Sequence, residues 1–449
     1  MTGPSKLDST IVGAQKVGEQ VGKHNVAARD DGAQTCNVAL LGFGTVGSSV
    51  AKIICERSNT HLRLTHIYNR NVARKKVDWL PSSVQWTENI DDVLSSSVDI
   101  VVEVMGGLQP SEDWIRRALA AGKSVVTANK QLIAHCGPEL ISLARRNQQQ
   151  IQFGASVAGG VPVISGLHEG LAGDELFKIR GILNGTCNYI LTQIETNGIP
   201  FATALREAQK LGFAEADPTE DIDGLDARAK LAILARVGLH CNVQANSIVA
   251  RTIAAIDTVD FEYANQLGCT IRQISWAELK GNELFAAVQP ALVELSSPLA
   301  RVEGSQNLVV ATGTYGGETV FGGHGAGGHP TAVAVVSDIL AIARAKQAGM
   351  SSSGQRVEIT PSVTADFTTK HYLRFMVRDR PGIIASLATI LSQCGINIDS
   401  VLQKPGCPKS HLPFLITLEE CKAAPVQKAL EQINSLDFMV QPCLHLPIL

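Results

Sequence analysis

Residues 212–230 read GFAEADPTEDIDGLDARAK, in which six carboxylates (Glu215, Asp217, Glu220, Asp221, Asp223 and Asp226) precede Arg228 and Lys230. Negative charge this dense is costly unless a cation or a cationic ligand meets it. A calcium loop is one candidate, because Asp221, Asp223 and Gly224 fit part of an EF-hand pattern. Counted from Thr219, however, the first position is not acidic and the last is Lys230 instead of Glu, so the loop fails at both ends. A polar substrate site is the other candidate. Asp226 and Lys230 stand four apart on the apolar-rich stretch GLDARAKLAILARVG and share a helix face. A lysine among carboxylates can bind a substrate oxygen and pass it a proton, while the carboxylates hold an ammonium group. An ordinary i,i+4 ion pair has the same spacing, and spacing alone leaves both readings open.

Three further patterns carry chemistry. In GFGTVG, residues 42–47, Gly42 permits a tight turn, Gly44 lets the backbone approach a pyrophosphate and Gly47 lets helix and strand pack closely. Phe43, Thr45 and Val46 complete a loop whose helix N-terminus faces the phosphates. Where an NAD-selective acid usually ends the second strand, this chain has Tyr68, Asn69 and Arg70, then Arg74, Lys75 and Lys76. Such a site favours a 2′-phosphate and hence NADP over NAD, although a solvated basic helix start reads the same way. TANK at 127–130 puts Lys130 just after a strand, at the sheet edge where open α/β folds bind ligands; a solvated strand end is as good a reading. GGHGAGGHPTA at 322–332 can bring backbone amides to a cofactor or merely connect elements, and His324 and His329 lack metal-helix spacing.

The elements that must position these residues follow from periodicity. VALL (38–41), LRLTHIY (62–68), VDIVVEV (98–104) and SVVTAN (124–129) alternate with helical stretches, which predicts a doubly wound α/β domain over 36–160. IQFGASVAGGVPVI (151–164) reads as strand and turn and GLHEGL (166–171) as a short helix. ELFKIRGIL, ELFAAVQPALV and NLVVATG suggest antiparallel strands in an α+β catalytic and dimerisation domain over 161–319. Residues 346–370 are rich in Ser, Thr and Gly and read as a linker. From 371 to 449 the order is βαββαβ, with DFMVQPC as the last strand, which predicts a ferredoxin-like sandwich.

Composition sets the bounds. A chain of 449 residues, 45% hydrophobic, exceeds one core and implies two or three domains. A net charge of −3 with dispersed Lys and Arg argues against nucleic acid as a partner. The ten cysteines form no CxxC pair, as expected in a reducing compartment, so a cytoplasmic location is expected. Residues 1–35 lack an apolar core and read as a disordered extension, and no apolar run reaches the roughly 18 residues of a membrane span.

Taken together, the motifs GFGTVG, VVEVMGG, GKSVVTANK, ASVAGGVP, GILNGTCNYIL, LGFAEADPTEDIDGLDARAKLAIL and GAGGHPTA resemble the homoserine dehydrogenase family, with DRPGIIA resembling its bacterial ACT domains. The resemblance implies NADP-dependent interconversion of L-homoserine and L-aspartate 4-semialdehyde. It implies Lys230 as principal acid-base residue with Lys130 near the reacting carbonyl, Glu215 and Asp226 on the amino acid and Asp221 in support. Gly212 and Glu215 would lie near the nicotinamide, and Gly327 would touch the cofactor again, returning residues 320–345 to the first domain. Backbone carbonyls around Gly154, Val157, Gly159 and Val161 correspond to a monovalent cation (Na+) site, weakened where Gly154 replaces the family's usual Glu. Cys187 replaces a hydroxyl residue, read as neutral. A homodimer or homotetramer is implied, with L-threonine sensed by a C-terminal domain that can be cut away near residue 360 without loss of turnover. The rivals are another NADP-dependent amino-aldehyde reductase and a ligand sensor that has lost turnover.

Overall fold

The computed structural model describes residues 35–57, 61–350 and 358–449. The extension expected over 1–35 lies outside these, apart from Thr35, as does the middle of the expected linker.

The first sheet is wholly parallel, in the order β3 (Gln85–Thr87), β2 (Leu62–Tyr68), β1 (Cys36–Leu41), β4 (Ile100–Glu103), β5 (Ser124–Thr127), β6 (Ile151–Gln152). Side chains alternate across β1: Val38 and Leu40 enter one core, Ala39 and Leu41 the other. The second core lies under helices Ser111–Ala120 and Lys130–Arg146. The first lies under the fingerprint helix Thr45–Glu56 and the helix Gly328–Gln347, whose Ala332, Val335, Val336 and Ile339 form a single apolar stripe. Burying a side chain such as Ile339 contributes roughly 1.5–3 kcal/mol, enough to hold this late helix on the first domain. Strand order reverses between β1 and β4, and Gly42 lies at that switch point.

The second sheet has eleven strands: along its path β12 (Gly317–His324), β11 (Gln306–Gly313), β7 (Leu176–Ile182), β9 (Cys269–Lys280), β10 (Glu283–Glu294), β17 (Leu444–Ile448), β14 (Thr368–Val377), β16 (Leu412–Lys422) and β15 (Ile398–Gln403). Short β8 (Val249–Ala250) and β13 (Ser362–Thr364) add to β10. The sequence reading lacked β9, because its polar residues Thr270, Arg272, Gln273 and Ser275 are as buried as its apolar ones and leave no alternation. Arg272 is neutralised by Glu195 at 2.7 Å.

Three boundaries differ from expectation. The stretch read as a strand from 151 keeps only two strand residues before a 3-10 turn, Gly154–Ser156. The linker is shorter than expected, since the helix before it runs to Gln347 and β13 adds to β10 beyond it. The last strand is LHLPI, not DFMVQPC: Phe438 plugs the core of the C-terminal unit, and Met439 makes a single bridge to Val377.

Within the C-terminal unit the order β17-β14-β16-β15 is the ferredoxin-like arrangement, with helices Ile383–Gln393 and Ala423–Ile433 packed against Phe375, Phe414 and Ile416 on one face. The opposite face is also covered. Tyr372, Leu415 and Leu446 pack with Ile190, Ile194, Phe261 and Tyr263 from helices Gly185–Asn197 and Thr258–Gln266. A buried ion pair seals this contact, Arg374 Nε to Asp260 Oδ1 at 2.8 Å, with the Tyr372 hydroxyl donating to the same oxygen at 2.7 Å.

Candidate active site

Asp226 lies in the first turn of helix Leu225–Leu239 and is 4% exposed. Lys230, one turn on, donates to its Oδ2 at 2.7 Å, and Lys130 pairs with Oδ1. Burial alone would raise the Asp226 pKa, but the two ammonium groups outweigh it and hold the carboxylate well below its usual range. Burial likewise lowers Lys130, and the Asp226 charge more than reverses that, leaving it raised. Lys230 Nζ also donates to the Leu183 carbonyl at 2.8 Å. An ammonium group has three N–H donors, so two are committed and one is left for a substrate oxygen.

Lys130 reaches this point because of the turn before it. Thr127 ends β5, the Asn129 backbone donates to the Thr127 hydroxyl at 3.0 Å, and the Asn129 side chain caps the helix by accepting from Leu132 N at 3.1 Å. Asn129 also donates to the Gly107 carbonyl at 2.6 Å, tying this turn to the loop after β4. Glu103 organises the same loop from fully buried ground: it accepts from Met105 N at 2.8 Å, Gly106 N at 3.0 Å and the Thr127 hydroxyl at 2.6 Å. Sequence reasoning passed over Glu103, although a charge inside an apolar strand was the signal.

A second residue it missed is Asn184. Its side chain bridges Asp221 (2.7 Å) and Asp226 (3.0 Å). Burial raises the Asp221 pKa, against which the Asn184 donor acts. Cys187 donates its S–H to the Asp221 carbonyl at 3.1 Å, a hydrogen bond that a hydroxyl could also make. Glu215 is exposed, its carbonyl accepting from Gln209 at 3.1 Å, and among the described residues its carboxylate takes no part in the Asp226 cluster. Gly212 has a left-handed φ of 76° and ends helix Phe201–Lys210, which only glycine does cheaply.

At the other end of the site, Gly42 has φ 105° and a side chain on Gly47 would stand 2.2 Å from the Gly42 carbonyl oxygen. Space beside Gly44 is open, with no atom within 4 Å of where a Cβ would be. Phe43 is buried against Trp86, centroids 4.9 Å apart, and so anchors the loop by its side chain. A Cβ on Gly328 would meet Thr45 Cγ2 at 2.8 Å, so the late glycine loop, with Gly327 at φ 116°, closes on the fingerprint. Two helix N-termini, at Thr45 and Gly328, thus adjoin the gap at Gly44, a setting for phosphate. Arg70 is exposed just beyond β2, where Asn69 Oδ1 accepts from Asn71 N at 3.0 Å.

Residues 162–340 match the homoserine dehydrogenase family, 42–154 its NAD-binding domain and 371–438 the ACT domain. The homoserine dehydrogenase of Bacillus subtilis is 36% identical over 411 residues, covering 89% of this chain and 95% of that protein. The chain belongs to the homoserine dehydrogenase family. That of Mycobacterium tuberculosis is 40% identical over 384 residues, covering 82% and 86%. The solved homoserine dehydrogenase of Thiobacillus denitrificans matches at TM-score 0.86 and 32% identity, covering 92% of this chain and 98% of that one. A hyperthermophilic archaeal homoserine dehydrogenase in complex with NADPH matches at TM-score 0.60 and 29% identity, covering 68% and 97%. As a homoserine dehydrogenase this chain is an oxidoreductase with a Rossmann-type nicotinamide-dinucleotide domain and a C-terminal ACT domain.

The cation segment can be tested on its donors. Val157 and Val161 bury apolar side chains, so only backbone oxygens are on offer there, which suits a monovalent ion better than a divalent one. No group of three or more His, Cys, Asp or Glu able to hold a metal occurs among the described residues. Gly154 N donates to Asp338 Oδ2 at 2.7 Å, and a Cβ there would stand 2.8 Å from Asp338 Oδ1. With no side chain of its own, Gly154 leaves room for the Asp338 carboxylate of the late helix. Burial, reinforced by Glu169, pushes Asp338 up to about 7.

No helix among the described residues is long and apolar enough to cross a membrane.

Proposed function

We propose that this homoserine dehydrogenase interconverts L-aspartate 4-semialdehyde and L-homoserine with NADP in preference to NAD, using Lys230 as the acid-base residue. The carrying observation is the buried Asp226 held between two ammonium groups, one of which keeps a free N–H. A bound nicotinamide dinucleotide supplies the hydride. Lys230 donates the proton to the carbonyl oxygen as the alcohol forms, and Lys130 adds positive charge beside the developing alkoxide. Asp226 fixes both ammonium groups, and with Asp221 supplies negative charge for the substrate's amino group. Glu215 would join them only if substrate draws it in from solvent. Gly42–Gly47 and Gly327 would hold the phosphates and Arg70 would pair with the 2′-phosphate; the NADPH complex of the archaeal relative is consistent with this choice.

On the same reading, sodium is held by the carbonyls of Gly154, Val157, Gly159 and Val161. The active form is a cytoplasmic homodimer or homotetramer built on the 161–319 domain, and the ACT domain takes L-threonine. The direct test is aldehyde-dependent oxidation of NADPH by the purified chain. Lys230→Ala should lower kcat by about 100-fold or more while NADPH still binds, the range expected for loss of a general acid. Near-normal turnover would remove Lys230 from the chemistry.

A further inference from the structure

Asn184 is 4% exposed and its amide is used at both ends. Its Oδ1 accepts from Cys187 N at 2.8 Å, capping helix Gly185–Asn197, and its Nδ2 donates to Asp221 Oδ1 at 2.7 Å and Asp226 Oδ2 at 3.0 Å. The cap fixes the orientation. With the oxygen committed to the helix N-terminus, the NH2 group has to face the carboxylates, so the amide cannot flip without losing the cap and setting three oxygens against one another. Two carboxylates that would otherwise repel are thereby bridged by one neutral donor. The Asp226 oxygen that Asn184 holds is the one that also receives Lys230.

We infer that Asn184 is a positioning residue for the reaction, setting the angle of the Asp226 carboxylate and, through it, the aim of the Lys230 ammonium group. This rests on the role given to Lys230 above. A side chain that merely capped the helix would need an acceptor alone; Asp and Ser cap about as well as Asn. The donor half of Asn184 is what the carboxylates use.

Asn184→Asp separates the two functions, since it keeps the capping oxygen and replaces the donor by a third carboxylate. The groups facing Asp221 are Asp226, Lys130 and Lys230, and burial already raises it. Loss of the Asn184 donor raises it further, so the acid limb of the pH profile of kcat/KM moves to higher pH. With the ammonium group mis-aimed, kcat for homoserine falls by about 100-fold, the scale of an ångström of misplacement. NADPH affinity, measured by fluorescence, and the thermal midpoint stay near those of the unaltered enzyme. Wild-type kcat/KM with an unmoved acid limb overturns the inference, as does a loss of activity that follows a lowered thermal midpoint with the acid limb unmoved. Should Asn184→Asp fail to fold, Asn184→Ser decides on the same readouts, because its hydroxyl caps but cannot bond to both carboxylates. If the unaltered chain does not oxidise homoserine at all, the functional reading fails instead, which keeps the two outcomes apart.

Discussion

Asp226 answers to three donors at once, from Lys130, Lys230 and Asn184, and a carboxylate so held is oriented more firmly than any loop could hold it. Asp338 is the contrasting case. It is a half-buried carboxylate whose hydrogen-bond donor is the Gly154 amide, and burial pushes it up from an ordinary 3.8 to about 7. The folded chain therefore binds a proton here that the unfolded chain has released, between the ordinary value and about 7. Its contribution to stability is fully present below the ordinary carboxylate value and is lost as pH rises to about 7. Asp338→Asn, which keeps an acceptor for Gly154, should lose less stability than the unaltered protein as pH rises from the ordinary carboxylate value to about 7. Parallel denaturant titrations across that range would show the two curves diverging; identical pH dependence would mean Asp338 is ionised throughout. At the cofactor end, Arg70→Asp should erase the preference for NADPH over NADH through repulsion of the 2′-phosphate. A kcat/KM ratio unchanged by that substitution would place the phosphate elsewhere.

Among the elements, the fingerprint turn separates two roles that a Gly-rich motif confounds. Gly47→Ala would put a methyl group 2.2 Å from the Gly42 carbonyl oxygen, so the turn itself must open. Gly44→Ala meets only open space. The first should lower the thermal midpoint and abolish nucleotide binding together. The second should keep the midpoint and weaken nucleotide affinity alone, because the methyl group occupies the approach to the pyrophosphate. Thermal melts with and without NADPH test this, and equal affinity in Gly44→Ala would move the phosphates away from that loop. The late helix Gly328–Gln347 belongs to the same device, since its first residue abuts Thr45 and its apolar stripe completes the core under β1.

For the whole molecule, the sequence led to a detachable regulatory domain, and the structure gives a joined one. β17 pairs with β10 at Ile448 and Leu292, the inner face of the ACT sheet shares a core with helix Gly185–Asn197, and Asp260 depends on Arg374. Cutting near residue 360 would bare that core and strand a buried carboxylate, so the truncated chain should aggregate or melt early where the sequence alone implied an active, threonine-insensitive enzyme. Arg374→Ala is the milder probe. Breaking one side of a buried ion pair costs about 3–5 kcal/mol, readable by urea denaturation, and Asp260→Asn in the same chain should restore part of it. A soluble, fully active truncation would show the interface to be dispensable. Because Asn184 caps the helix that lies under the ACT sheet, a ligand that shifts the sheet has a short path to Asp226. Threonine titrated into the full chain, with binding and activity followed together, tests whether that path is used.

The sequence by itself determined what is local. The βαβ pattern, the glycine turn and the spacing of Asp226 and Lys230 are set by backbone sterics and side-chain periodicity within a few residues. The acidic run, joined to motifs in family order, was enough to name the chemistry. What only tertiary structure decided are the partnerships between distant parts: Lys130 brought to Asp226, Asn184 to a carboxylate 42 residues on, Gly154 to Asp338, and the ACT sheet to the catalytic one. β9 was missed for the same reason. Its polar residues are buried by neighbours far along the chain, so polarity no longer alternates with exposure, and a one-dimensional pattern cannot say which side faces water.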